Sequence, residues 1–279
     1  MWTPDLAKRW LDFTKSAGGR IAAAEWMNEP TLAGMGGAPK GYDADAYGRD
    51  FKLFRVFAKQ AAPDMKILGP GSVGETTGDW SAAAGYGDTM TLKTRDILAS
   101  SQPGHVDGFS YHHYGAASLR CASTGPRTQT SPEAALTEQW LARTDETLAF
   151  YRRVRDEFEP GKAFWNTETA DAACGGNPWA NTFLDTFRYL DQLGRLAKQE
   201  VAVVTHNTLV ASDYGLAEAE LLGGAALAPS HGNDRAGFGG AHSGRTPPLR
   251  PLPARHAWRR SGACYQQQPH AADVDHHAS

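Results

Sequence analysis

Two carboxylates stand out by their surroundings. Glu29 closes the apolar run of EWMNEP just before Pro30, and Glu168 ends the apolar start of FWNTETADAACGG, Phe164 to Gly176. If each ends a strand of one parallel sheet, both face the same rim. One carboxyl, ionised, could then attack an anomeric carbon while the other, protonated, serves the leaving oxygen. Hydrolysis of a glycosidic bond with retention requires such a pair roughly 5–5.5 Å apart. Asn28 is placed to donate to a sugar hydroxyl, and Trp26 and Trp165 offer flat walls on which sugar rings stack. Tyr114, at the end of VDGFSYHHYG, is a candidate donor to the nucleophilic carboxylate, holding it ionised and aimed. His112 and His113 could contact substrate or merely satisfy buried backbone groups. Taken alone, an Asn-Glu-Pro triplet is as typical of a turn as of a catalytic site. The joint pattern of two acids at matching strand ends is what points to chemistry.

Elements able to position these residues follow from periodicity. Leu6, Trp10 and Phe13 mark an amphipathic helix over 3–17, opened by Thr3 and Pro4 and ended by Gly18-Gly19. RIAAAEWMNE reads as a buried strand. Tyr47, Phe51, Phe54 and Ala58 mark a helix that begins near Asp43 or Asp45 and stops before Pro63. MKILGPGS is a short strand, 92–100 a helix, and VDGFSYHHYG a strand. Ser131 and Pro132 open a long helix running to Phe158. KAFWNTET is a strand, 179–197 a helix with Phe183, Phe187 and Leu190 inward, and VAVVTHNTLV the last strand. Trp140 and Trp179 are most simply core.

Strands alternating with helices predict parallel βα units with the unusual polar residues at the strands' C-terminal ends, as in a (β/α)8 TIM barrel. A doubly wound sheet ranks second, because no Gly-rich phosphate loop follows any strand. Five strands do not close an eight-stranded barrel. The expected fold class is therefore α/β with a partial (β/α)8 barrel, about strands 4 to 8, over 1–216.

Composition excludes other classes. A chain of 279 residues, 41% hydrophobic, with formal net charge −3 has no bulk basic surface for nucleic acid. No apolar run reaches the ~20 residues of a membrane span, and the start MWTPDLAKRW reads as a helix rather than a signal peptide. Cys121, Cys174 and Cys264 lack metal-ligand spacing; Cys121 and Cys174 can pair, though spacing does not decide it. No metal or cofactor is expected, since His270, His276 and His277 fall in a polar tail.

NEP, HHY at 112–114, TETADAACGG, FRYLDQLG from Phe187 to Gly194 and ASDYGL from Ala211 to Leu216 together resemble the heparanase-like glycoside hydrolases of family 79. The resemblance runs from about Arg20 to Leu216. It implies Glu29 as acid/base and Glu168 as nucleophile. Asn28, His113 and Tyr114 are the expected contacts at the sugar, and the resemblance implies Gly175, Gly176 and Tyr214 on a uronic acid carboxylate. The expected substrates are β-glucuronides or related uronic-acid glycans, hydrolysed with retention and without a metal. A backbone nest can hold such an anion without net basic charge. Where Cys174 stands, some relatives carry an aromatic residue. The alternatives are another barrel glycosidase of the same clan with different sugar specificity, or a noncatalytic carbohydrate-binding remnant.

Two departures temper the likeness. The family's barrel begins well before its NEP, so three βα units are expected to be missing; an open barrel predicts poor solubility and little or no activity. Residues 217–279 are rich in Gly, Ala, Pro, Arg and His without periodicity, which reads as a low-complexity tail. Alternatively, it is a frameshift product. With suitable codons and a shift of one base, Glu218–Ala228 can be read as KPNYWAALLW, Thr246–Ala254 as LHLYAHCL and Gly262–Gln268 as ALVINN. These would be the last barrel helix and strands of a C-terminal sandwich. The coding DNA decides this, since codons at Leu221 and Leu249 must supply TA before a pyrimidine.

Overall fold

The computed structural model describes residues 2–76, 78, 80–81, 92–101, 105–121, 125–180, 182–208 and 215. The predicted tail, 217–279, and Tyr214 lie outside them. Helix α1, Pro4–Ser16, falls in a unit separate from residues 23–240 and is taken by itself. It starts where expected: the Thr3 hydroxyl accepts from the Leu6 amide at 3.2 Å, and Pro4 occupies the first turn, where its missing N–H costs nothing. Its apolar stripe, Leu6, Trp10 and Phe13, is exposed.

In the larger unit, β1 (Ala23–Glu25), β2 (Lys66–Ser72), β3 (Gly108–Tyr114), β4 (Phe164–Ala170) and β5 (Val201–His206) form one parallel sheet in the order β1-β2-β3-β4-β5. Helices α2 (Ala44–Ala61), α3 (Thr94–Ser101), α4 (Glu138–Leu141), α5 (Arg143–Phe158) and α6 (Phe183–Lys198) lie between the strands in sequence. Strand order that follows chain order is the winding of a (β/α)8 barrel; a doubly wound sheet reverses direction part-way. The chain thus has the partial barrel that the alternation predicts.

The core sits between the sheet and its helices. Phe109 and Tyr111 of β3 and Phe164 of β4 pack with Leu98, Leu148, Tyr151, Val154 and Leu196 of α3, α5 and α6. Burying each large apolar side chain contributes about 1.5–3 kcal/mol. Strand side chains alternate, so β3 turns Phe109, Tyr111 and His113 toward the helices and His112 and Tyr114 the other way. In α2 the buried residues are Tyr47, Phe51, Phe54 and Ala58, as expected, with the Asp43 carboxylate accepting from the Ala46 amide.

Several expected elements differ. The first strand stops at Glu25, and the segment after it bends so that Glu29 adopts left-handed backbone, φ 45° and ψ 58°, at the start of a short 3-10 turn, Pro30–Leu32. The long helix expected from Ser131 splits: 132–136 is turn, followed by α4 and α5. Helix α6 is rotated from expectation. Phe183, Phe187 and Leu190 are exposed, whereas Asp185, Arg188, Gln192 and Leu196 are buried.

Candidate active site

Parallel pairing carries the C-terminal ends of all five strands to one rim, and the two glutamates arrive there by different devices. Glu29 is placed by the turn after β1. The residue before a proline is disfavoured in right-handed helical backbone, and the left-handed conformation of Glu29 is a conformation non-glycine residues rarely adopt. Thr31 anchors this turn to the end of β2, its hydroxyl donating to Val73 O at 2.9 Å and accepting from Val73 N at 3.1 Å. Glu168 is placed by a bulge. Tyr111 pairs with Asn166 and His112 with Glu168, so Thr167 is one residue too many in β4. Bulges of this kind re-aim the side chain that follows.

His112 lies between the two acids. Its Nδ1 is 3.1 Å from Glu29 Oε1 and 3.7 Å from Glu168 Oε2, and its Nε2 is 3.6 Å from Glu25 Oε2. Among Glu29, His112 and Glu168, one ligand-capable atom of each lies within 4.8 Å of the others. A cation site would also show this donor density. Both ring nitrogens of His112 already face carboxylates, however, so the cluster is read as ion pairs around an imidazolium rather than as a ligand set. Tyr114 donates to Glu168 Oε1 at 2.5 Å, and Asn207, just past β5, donates to Tyr114 Oη at 3.2 Å and to Glu168 Oε1 at 3.3 Å.

Electrostatics follow from this geometry. Burial opposes a charged His112, but the hydrogen bonds it donates to Glu25 and Glu29 and the charge of Glu168 outweigh it and hold its pKa well above the usual value. Burial also opposes a charged Glu25; its hydrogen bond and charge pairing with His112, helped by Thr167, leave it below the ordinary carboxylate value. Glu168 is raised, chiefly by burial and further by the charges of Glu29 and Glu25, against the pull of His112 and Tyr114. That direction favours the protonated carboxyl. The imidazolium and the tyrosine hydroxyl are the groups that work to keep it ionised.

The other expected contacts are mixed. His113 points away from the acids, its ring edge-on to Trp80 and its Nε2 3.3 Å from the Thr144 hydroxyl. Burial, with the Arg188 and Arg143 charges, lowers its pKa to about 3. The phase of the strand thus gives His112 the place proposed for His113. Trp26 packs on Phe54 of α2, and Trp165 lies over Gly108 at the start of β3, so neither stands where a sugar wall was expected. Asn28 is exposed beside Glu29. Gly175 and Gly176 follow Cys174 in a turn with φ of 88°, 76° and 64° respectively. Cys174 is joined to Cys121 by a disulfide with Cα atoms 6.3 Å apart, and Ser118 donates to Gly176 O at 2.7 Å. A Cβ added at Gly175 would lie 3.1 Å from Arg120 Nη1. Sequence reasoning passed over Glu25 and Asn207. The signal for Glu25 was present, an acid at the end of AAAE four residues before Glu29.

No family model matches the chain. It is 25% identical to "Heparanase-like protein 1" of Arabidopsis thaliana over 218 residues, 78% of this chain and 36% of that protein. It is 28% identical to "Heparanase" of Mus musculus over 220 residues, 78% of this chain and 37% of that protein. Among solved structures it resembles a monomeric beta-xylosidase from Caulobacter crescentus CB15, at 19% identity and TM-score 0.49, over 78% of this chain and 43% of that one. It also resembles the GH51 arabinofuranosidase from Xanthomonas axonopodis pv. citri, at 18% identity and TM-score 0.48, over 75% and 44%. The chain spans a little over a third of the length of the curated relatives it matches. Over most of its own length it is similar to heparanases and heparanase-like proteins, at 25–28% identity.

Proposed function

We propose that residues 1–216 carry the machinery of a retaining glycoside hydrolase for β-glucuronides or related uronic-acid glycans. Glu168 attacks the anomeric carbon and forms a glycosyl ester while Glu29 gives its proton to the departing oxygen. Glu29 then takes a proton from water, whose oxygen displaces Glu168 and releases the sugar. The observation that carries this reading is the approach of the acids, an oxygen of each within 4.8 Å of the other. An inverting enzyme needs about 6.5–9.5 Å to admit a water between them. Tyr114 and Asn207 fix one oxygen of Glu168, leaving its other oxygen toward His112. A uronate is favoured over a neutral sugar by the left-handed turn at Cys174–Gly176 and by Arg120 beside it.

The test is covalent trapping with a 2-deoxy-2-fluoro glucuronosyl fluoride, read by peptide mass spectrometry. Turnover of a chromogenic β-glucuronide is expected to be slight, but labelling needs only one event per molecule. An adduct should accumulate on the Glu168 peptide and be absent from Glu168→Gln. Saturable sugar binding with neither adduct nor turnover in either protein would instead support a noncatalytic remnant. Trapping by a xylosyl or arabinosyl reagent alone would move the specificity to another sugar.

A further inference from the structure

Glu25 is the acid that the two-glutamate mechanism does not use, yet three strands are shaped around it. It ends β1. In β2, the pairing with β3 passes from Pro70–Ser110 to Ser72–Tyr111, which leaves Gly71 as an extra residue. Gly71 has φ +69°, and a Cβ there would stand 2.9 Å from Glu25 Oε2 and 3.0 Å from its Cδ, so the carboxylate fills the space that glycine leaves. In β4 the extra residue is Thr167, whose hydroxyl donates to Glu25 Oε1 at 2.7 Å. Two independent bulges thus converge on one carboxylate, and that carboxylate faces Nε2 of His112.

We propose that Glu25 is a positioning residue. It holds the His112 ring with Nε2 toward itself, so that Nδ1–H is presented to Glu29 and Glu168 and the proton shared by that pair is distributed through the imidazolium. An imidazole has two nitrogens on opposite sides, and an acceptor on one fixes both tautomer and ring orientation at the other. The titratable groups around His112 are Glu25 on β1, Glu29 on the turn after it and Glu168 on β4. Tyr114 of its own strand acts through Glu168, Tyr47 of α2 stands behind Glu25, and Glu75 lines the same cleft. Without Glu25, His112 keeps acidic neighbours only on its Nδ1 side, and nothing aims the ring.

The role rests on the glycosidase reading for its purpose but not for its test. The full chain, labelled with 15N-histidine, is titrated by NMR between pH 5 and 9, with the resonance of His112 among the ten histidines assigned through His112→Gln. In the wild type His112 should remain doubly protonated at pH 7. In Glu25→Gln its titration midpoint should fall by at least one pH unit, a tenfold loss of proton affinity, and Glu25→Asp should recover part of that shift. A neutral His112 at pH 7 in the wild type would overturn the proposal whether or not a variant folds. So would an unchanged midpoint in a folded Glu25→Gln. Absence of the Glu168 adduct, by contrast, would remove the glycosidase reading and leave this assignment standing.

Discussion

Asp171 opens the loop that carries Cys174 to Gly176, and its side chain is fully buried. Burial lifts its pKa to about 6 despite a hydrogen bond from the Asn177 amide at 3.0 Å; the charge of Asp185 adds to the rise and that of Arg188 opposes it. The folded chain therefore holds this proton more tightly than the unfolded chain, whose value is 3.8. Below that value both states are protonated and nothing is lost. As pH rises toward 6 only the unfolded state ionises freely, so stability falls across that window and stays lower above it. Asn in its place still offers an oxygen to the Asn177 amide and carries no charge. Asp171→Asn should stabilise the protein by on the order of 2 kcal/mol at pH 7 and not at all at pH 3.5, read from urea midpoints. A loss at pH 7 would show that the charge is needed. The same scale shows what the sequence could not settle about the site. The glutamates were visible as acids closing apolar runs. Which of His112 and His113 faces them depends on the phase of β3, and the bulge at Thr167, which re-aims Glu168 on β4, carries no sequence mark.

Helix α6 shows the corresponding limit for an element. Its existence, and that of all five strands, follows from hydrophobic periodicity, because alternation and 3.6-residue repeats are properties of the chain itself. Which face turns inward depends on what the helix meets. Here it meets a polar strand end. Arg188 donates to both oxygens of Asp185 and, at 3.0 Å, to Gln192, and Gln192 donates to the Thr169 hydroxyl at 2.8 Å, one residue from Glu168. Thr169 in turn donates to His113 O at 2.6 Å. The inward face of α6 is thus a polar network behind the strand bearing Glu168, and its apolar stripe is left outside. Breaking one member of a buried pair strands the other charge, which costs about 3–5 kcal/mol, whereas replacing both with apolar groups is close to neutral. Arg188→Met should therefore lower stability by roughly that amount, and Asp185→Leu with Arg188→Met should recover most of it, measured as a double-mutant cycle in urea. Equal losses in the single and double variants would mean that Gln192 and Thr169, rather than the ion pair, carry the contact.

At the scale of the unit spanning residues 23–240, these local facts set how one copy meets another. Among the described residues, β1 and β5 each pair with one neighbour only. Central β3 is buried throughout, while no residue of β5 is fully buried. Beside β5, the stripe of Phe183, Phe187 and Leu190 is 76%, 51% and 58% exposed. A strand edge left unpaired by the described residues and an apolar stripe both invite another surface. The magnitude limits the result. Covering three such side chains contributes about 5–8 kcal/mol, against an association cost of about 4–15 kcal/mol. The expected outcome is weak, concentration-dependent association rather than a fixed oligomer, with apparent Kd no tighter than about millimolar. Sedimentation velocity approaching that concentration should show the mean mass rising with concentration. Phe183→Lys with Phe187→Lys should return it toward the monomer with an unchanged circular dichroism spectrum, since both side chains stand outside the core. Association that persists in that variant would assign the contact to the strand edges, and a charged residue in the middle of β5 would then be the change that suppresses it.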